Sequence, residues 1–360
     1  MTLREAIGQL FILGFEGHTP SEALKTFVRD LTPGGLILFG RNLGNPEEIA
    51  ALTNALQVAS PTPLFFAIDQ EGGKVTRLPP PFTQWLSASA VGAVGSTELT
   101  HAVASAIARE LMVVGINMNM APVLDVLSNP ANPVMAGRCY GSDAHVGAQH
   151  GIAFYRGLAS EGVLAVGKHF PGHGDTTVDS HLALPVVPHD LGRLSAVELA
   201  PFAYAIRAGI PALMTAHLLL PALDTEHPAT LSQPILTDLL RGQLGFRNLV
   251  ISDDLLMQGI ADSTPPGEAA VRFIEAGGDL MLICHDEAAQ RQALVVVTKA
   301  VETGRLSEAR VRASCKRIAD AKAQHLRRKM AVSTEEIRTV VGCVAHRRLA
   351  ESVGRDDKGS

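Results

Sequence analysis

Fourteen consecutive residues, Lys168 to His181, hold three of the chain's thirteen histidines, two aspartates and a lysine. Glycines and a proline at the centre of this run, Pro171-Gly172-His173-Gly174, forbid a regular helix. The apolar residues just before it, 163–166, read as a buried strand. The run is therefore a loop at a strand end, where a rigid scaffold usually presents chemistry. Asp179 and His181 stand two apart. The carboxylate can hold one ring nitrogen and leave the other to give or take a proton near neutral pH. Lys168 and His169 can donate hydrogen bonds to hydroxyl oxygens. Gly172 and Gly174 permit positive φ or close backbone approach, as a mobile loop requires.

The elements that must position these groups follow a repeating rhythm. Short apolar runs at 10–15, 35–39, 64–68, 116–121, 164–167, 212–215, 249–252 and 280–283 alternate with amphipathic stretches. The stretches at 21–31, 46–59, 98–114, 144–161, 196–208, 234–244, 266–276, 287–303 and 307–328 predict helices. Strand-then-helix repeated eight times predicts an α/β fold, a (β/α)8 TIM-type barrel. The strands are apolar throughout, as expected when both faces are covered. The segment 71–95, with Pro79-Pro80-Pro81 and no periodicity, is expected to be a loop over the rim.

Polar residues fall just after the strands: Asp69, Asp125, Lys168 with His169, His217, Asp253 with Asp254, and His285. Barrel active sites lie at the C-terminal strand ends, so residues far apart in sequence are expected to share one pocket. The domain division expected is a barrel over 1–328 and a short tail over 329–360, a peripheral helix or a disordered end. In the tail, Ser333 and Glu336 have capping-box spacing, with Ile337, Val340, Val341 and Val344 on one side.

Composition narrows the function. A net charge of −5 gives no reason to expect nucleic acid or an anionic membrane. Aromatic residues are only 4%, so stacking platforms are few. Cys139, Cys284, Cys315 and Cys343 contain no C-x-x-C, which argues against a disulfide framework and a cysteine-zinc site. The N-terminus has charged residues early and no apolar leader, and no run approaches the ~20 apolar residues of a membrane span. A cytoplasmic, soluble protein without metal or cofactor is expected.

Lys168-His169-Phe170-Pro171-Gly172-His173-Gly174 with Asp179-Ser180-His181 resembles the signature of family 3 glycoside hydrolases, in their β-N-acetylhexosaminidase branch. Ala67-Ile68-Asp69-Gln70-Glu71-Gly72-Gly73 with Arg77, Ala121-Pro122-Val123-Leu124-Asp125, Gly137-Arg138, Met214-Thr215-Ala216-His217 and Ile251-Ser252-Asp253-Asp254-Leu255 are similar to further blocks of that family, in order. The resemblance covers about residues 5–325 and implies a barrel that removes terminal β-linked N-acetylglucosamine with retention. It implies a small carbohydrate substrate, a muropeptide or chito-oligosaccharide, and for the bacterial cytoplasmic members a role in peptidoglycan recycling on 1,6-anhydro-N-acetylmuramyl peptides. Many relatives carry a second α/β domain; this chain looks like the single-domain form.

The resemblance implies Asp253 as nucleophile and His181, oriented by Asp179, as acid/base. It implies Asp69, Arg77, Arg138, Lys168 and His169 as the residues that grip the sugar. Neighbours on an extended chain point opposite ways, so only one of Asp253 and Asp254 should face the pocket, and Asp254 suits a helix cap. Asp125 and His217 are expected to support the site, and His173 and Asp175 to stabilise the loop. Glu16, Glu71 and His285 have no assigned role. Other readings are a phosphorylase on the same fold, a metal-dependent barrel hydrolase using His169, His173, Asp175, Asp179 and His181, and a non-catalytic sugar binder.

Overall fold

A computed structural model describes residues 1–326 and 333–356. Eight parallel strands close into a barrel in sequence order: β1 (Phe11–Leu13), β2 (Gly35–Leu38), β3 (Phe65–Ile68), β4 (Met118–Asn119), β5 (Leu164–Phe170), β6 (Ala212–Thr215), β7 (Leu249–Asp254) and β8 (Leu280–Ile283). Closure comes from β1 on β8, with Ile12 opposite Leu282. All strand residues but Asp253 and Asp254 are buried, because helices cover the outer face and side chains fill the lumen. The helices Pro46–Ala59 and Pro266–Ala276 have the limits their sequence predicts. Each opens on a proline, whose missing N–H has no partner to lose in the first turn.

β4 is shorter than expected because side chains take over its hydrogen bonds. Asn117 Oδ1 accepts from the Phe66 amide at 2.9 Å. Asn119 Oδ1 accepts from the Gln70 amide at 3.0 Å, and its Nδ2 donates to the Gln70 carbonyl at 2.9 Å. This pair anchors the turn that follows β3, and with it Asp69.

The expected helix over 196–208 is two helices, Leu191–Ala196 and Ala200–Arg207. Pro201 takes the first turn of the second, where a proline is tolerated, and the break buries Glu198. The stretch 71–95 is not wholly loop, since Ser87 caps a helix over Ala88–Ala93. The sequence reading also lacks the opening helix Leu3–Gly8, which Thr2 and Glu5 cap reciprocally.

The tail carries two helices, Thr334–Val340 and Val344–Asp356. Ser333 accepts from the Glu336 amide at 3.1 Å, and Ile337, Val341 and Val353 are buried against the barrel. Val344 is exposed, contrary to its expected place on the apolar side. Buried Glu110 joins three segments: it accepts from Thr83, from the Gly342 amide at 2.9 Å and from His346 at 2.8 Å. The tail thereby braces the loop after β3. The boundary at 328/329, the basic run Arg327-Arg328-Lys329 and the end of the chain from 357 lie outside the described residues.

Candidate active site

At the C-terminal end of the barrel a cavity of about 330 Å³ gathers groups from six strand ends. It is lined by Asp69, Arg77, Arg138, Lys168, His169, His181 and Asp253, seven of the eight residues assigned to the site from the sequence. Asp179, the eighth, stands behind His181. The volume is at the small end of ligand pockets, a size for one sugar unit rather than a polymer.

Two ladder irregularities explain how neighbouring residues both reach it. Along β5, Gly167 pairs with Leu213 and Phe170 with Thr215. Three steps on one strand therefore match two on the next, the extra residue of a bulge, and Lys168 and His169 both line the cavity. On β7 the same occurs between Ile251 and Asp254 against Leu280 and Leu282. Asp253 and Asp254 therefore both face the cavity, which corrects the expectation that strict alternation would leave one outside.

The floor is an alternating charge network. Lys168 Nζ lies 2.8 Å from Asp69 Oδ1 and 2.6 Å from Glu71 Oε1. Arg138 grips Glu71 with two parallel bonds, 2.8 and 2.9 Å. Arg77 approaches Asp69 at 3.6 Å, while its Nε is buried without a partner. A buried unpaired donor is costly, and a ligand oxygen would satisfy it. Burial works against ionising Asp69, but the Lys168 ammonium overrides it and holds the carboxyl down at about 2. Burial likewise opposes the charge on Glu71, and Lys168 and Arg138 together hold it below the usual range. Burial disfavours the Lys168 ammonium, yet Asp69 and Glu71 raise it above a free lysine. Asp69, Glu71 and Lys168 are thus all charged at neutral pH.

His169 is oriented from behind. Its Nδ1 lies 2.7 Å from Asp125 Oδ2, and Asp125 also accepts from the amides of His169 and His173. Burial pushes Asp125 up, and His169 more than offsets it. The other ring nitrogen, Nε2, turns toward Arg138 at 3.4 Å. His217 is fully buried; its Nε2–H donates to the Asp254 carbonyl at 2.9 Å, and burial favours its neutral form. Asp125 and His217 do not line the cavity; they hold residues that do.

The two β7 aspartates differ in environment. Asp254 Oδ1 accepts from the amides of Leu256 at 3.2 Å and Cys284 at 3.1 Å. Asp253 accepts from the Asp254 amide at 2.9 Å. Burial opposes ionisation of Asp253, but His217, His169 and Lys168 hold its carboxyl below the ordinary range. Burial raises Asp254, and the neighbouring Asp253 charge adds to the rise. One carboxyl is kept ionised and the other made easier to protonate, a split that separates roles.

On the loop after β5, the His181 amide and Nδ1–H both donate to Asp179 Oδ1, at 2.9 and 2.7 Å. Nε2 is left for proton transfer. Burial pushes Asp179 up, and the several His181 contacts together pull it below its usual range. Ser180, between them, pairs with His173 at 3.1 Å, and burial drops His173 to about 4, so that strut is uncharged. The imidazole of His181 is 62% exposed, at the mouth of the cavity.

Glu71 is the residue that sequence reasoning missed, and its spacing of two from Asp69 was the available signal, since i and i+2 share a face of extended chain. Arg41, Phe39 and Met257 also line the cavity without a sequence signal, and His285 lines it as its strand-end place predicts. Glu16 pairs with Arg41 at 2.9 Å and is largely exposed. The five residues considered as zinc ligands do not gather at one point. His169 is held by Asp125, His173 by Thr176 and Ser180, and His181 by Asp179, while Asp175 bonds His189.

Fold and site together define a (β/α)8 barrel with one charged cavity at the C-terminal strand ends. The chain belongs to the family described as Glycosyl hydrolase family 3 N terminal domain, which residues 2–321 match. It is 36% identical to the Beta-hexosaminidase A of Pseudoalteromonas piscicida, across 97% of this chain and 65% of that protein. A family 3 β-N-acetylglucosaminidase structure from Paenibacillus sp. str. FPU-7 superposes with a TM-score of 0.94 at 42% identity, covering 98% of this chain and 68% of that one. A β-glucoside phosphorylase bound to 2FGlc superposes with a TM-score of 0.90 at 25% identity, covering 98% of this chain and 64% of that one. The chain thus spans about two thirds of these longer relatives.

Proposed function

We propose that this chain is a retaining β-N-acetylhexosaminidase that removes a terminal non-reducing β-linked N-acetylglucosamine. The observation that carries this reading is one cavity lined by an ionised aspartate, Asp253, and an Asp-tethered imidazole, His181. In the first step an Asp253 oxygen bonds to the anomeric carbon, the glycosidic C–O bond breaks, and His181 Nε2–H protonates the departing oxygen. In the second, His181 takes a proton from water, the water oxygen bonds to the anomeric carbon, and the ester to Asp253 breaks. Two inversions give net retention. Histidine suits both steps, because it titrates near neutrality and places no second carboxylate beside the nucleophile. Asp69, Arg77, Arg138, Lys168 and His169 hold the sugar, Asp69 as acceptor and Arg77, Arg138 and Lys168 as donors.

The substrate we favour is the N-acetylglucosaminyl 1,6-anhydro-N-acetylmuramyl peptide of peptidoglycan recycling in the cytoplasm, with chito-oligosaccharide as the alternative. Among the described residues no helix is long and apolar enough to cross a membrane. Hydrolysis of a chromogenic β-N-acetylglucosaminide beside the matching β-glucoside tests the reading. Preference for the glucoside would overturn it. The likeness to a phosphorylase supports a second reading in which phosphate replaces water in the second step. A rate that rises with phosphate and yields a sugar phosphate would favour it.

A further inference from the structure

We propose that Asp175, His189, Arg193 and Glu198 form a clasp at the neck of the loop that carries His181, and that Asp175 is a positioning residue for proton transfer. The inference rests on the acid/base reading of His181.

The loop leaves the barrel at Asp175 and returns at His189, and these two are joined directly by a bond between His189 Nε2 and Asp175 Oδ2. The other Asp175 oxygen accepts from Ser128 Oγ at 2.9 Å, on the segment after β4. Arg193 spans the base, 3.0 Å from Glu198 and 3.9 Å from Asp175. The main chain is pressed against the same base. A Cβ at Gly174 would fall 1.6 Å from the Val126 carbonyl oxygen, and one at Gly172 would fall 2.8 Å from Glu198 Cβ. The neck therefore has one seat, set by backbone contact and by charge.

The tip is different. Val178, Leu182 and Val186 are 40%, 68% and 50% exposed, so apolar packing does not hold it. What holds it is polar: Ser180 on His173, the Gly259 amide on the Ser180 carbonyl at 3.1 Å, and Val187 on Leu219 at 2.9 Å. Apolar burial seats only the returning limb, at Val187. The tip that carries His181 has no such anchor and takes its direction from the two limbs at the neck. The clasp also retains two buried atoms without partners, Arg193 Nε and Glu198 Oε2. Packing alone would not keep such a cost. Ligand atoms of Asp175, His189 and Glu198 lie within 4.8 Å of one another, a spacing a metal ion could use. Arg193 already supplies the positive charge, so the cluster is read as a clasp.

The test compares kcat/KM of wild type, Asp175→Asn and His181→Ala on two N-acetylglucosaminides, one with an activated aryl leaving group and one with a sugar leaving group. The clasp predicts that Asp175→Asn loses about tenfold or more on the sugar leaving group, a fraction of the general-acid contribution. On the aryl glycoside, whose departure needs no proton, the loss should stay within about threefold. The binding of N-acetylglucosamine and the thermal midpoint should hardly move. His189→Gln serves as the second variant if Asp175→Asn fails to fold, with the same expectation. Equal losses on both substrates, or no loss, would overturn the clasp while His181→Ala still discriminates between them. If His181→Ala itself fails to discriminate, the acid/base reading falls, and the clasp's role with it. Wild-type activity lost to a chelator and restored by zinc would make the cluster a metal site and overturn the clasp.

Discussion

Glu71→Gln is the most informative perturbation. The Glu71 carboxylate is 3% exposed and contacts Lys168 at 2.6 Å and Arg138 at 2.8 and 2.9 Å. Gln keeps the shape and one acceptor oxygen but removes the charge. Lys168 then has only Asp69 as a close counter-ion, and Arg138 loses its fork. Removing one member of a buried ion pair costs about 3–5 kcal/mol, because the partner stays buried and uncompensated. Asp69 still neutralises part of the charge, so we expect the lower end, about 3 kcal/mol. For a chain of this length that is roughly 4 °C in the thermal midpoint. Activity should fall as well, since Arg138 and Lys168 lose the anion that aims them at the sugar. We expect kcat/KM to drop about 100-fold, mostly through KM, equivalent to about 2.7 kcal/mol of binding. Thermal unfolding by circular dichroism and Michaelis kinetics on a chromogenic N-acetylglucosaminide read both effects. A double variant with Arg138→Met should be no worse than the poorer single, with a coupling of about 1–3 kcal/mol. Additive losses, or a midpoint and KM unchanged by Glu71→Gln, would refute the reasoning.

Three further outcomes follow from the same geometry. Asp253→Ala should cut turnover about a thousandfold or more with the thermal midpoint preserved; a variant keeping most of its rate would remove Asp253 as nucleophile. Because the Asp253 carboxyl is held below its ordinary range, it should stay ionised well into the acid range, leaving the alkaline limb of kcat/KM to the general acid; an alkaline limb unchanged in His181→Gln would contradict the assigned roles. Asp69 sits at about 2 against an ordinary 3.8, and a depressed carboxyl adds stability that is present above the unfolded value and lost as pH falls through the folded one. Urea midpoints should therefore decline between about pH 4 and pH 2, by about 2 kcal/mol more in wild type than in Asp69→Asn; parallel slopes would show that Asp69 carries no such term.

The polar residues after the strands were legible because barrel chemistry obeys a positional rule. An apolar run followed by Asp69, Lys168 or Asp253 announces its place without coordinates. Glu71 was less legible. Its value lies in what it touches, Lys168 from β5 and Arg138 from the segment after β4, and neither is near it in sequence. The split of the helix at 196–208 was visible only in part. Pro201 marks a helix start, but the burial of Glu198 beside Gly172 is a long-range matter.

The chain's own pattern determined the barrel, its eight strands in order and the end at which the chemistry lies, because periodicity and strand-end polarity are local properties. Tertiary structure alone decided which neighbouring residues face inward. Alternation predicts one of Asp253 and Asp254 and one of Lys168 and His169, whereas register slips against β8 and β6 turn both members of each pair into the cavity. It also decided protonation. An aspartate in a sequence has the same intrinsic affinity for a proton wherever it stands, and only the balance of burial against placed cations sets Asp253 and Asp254 apart.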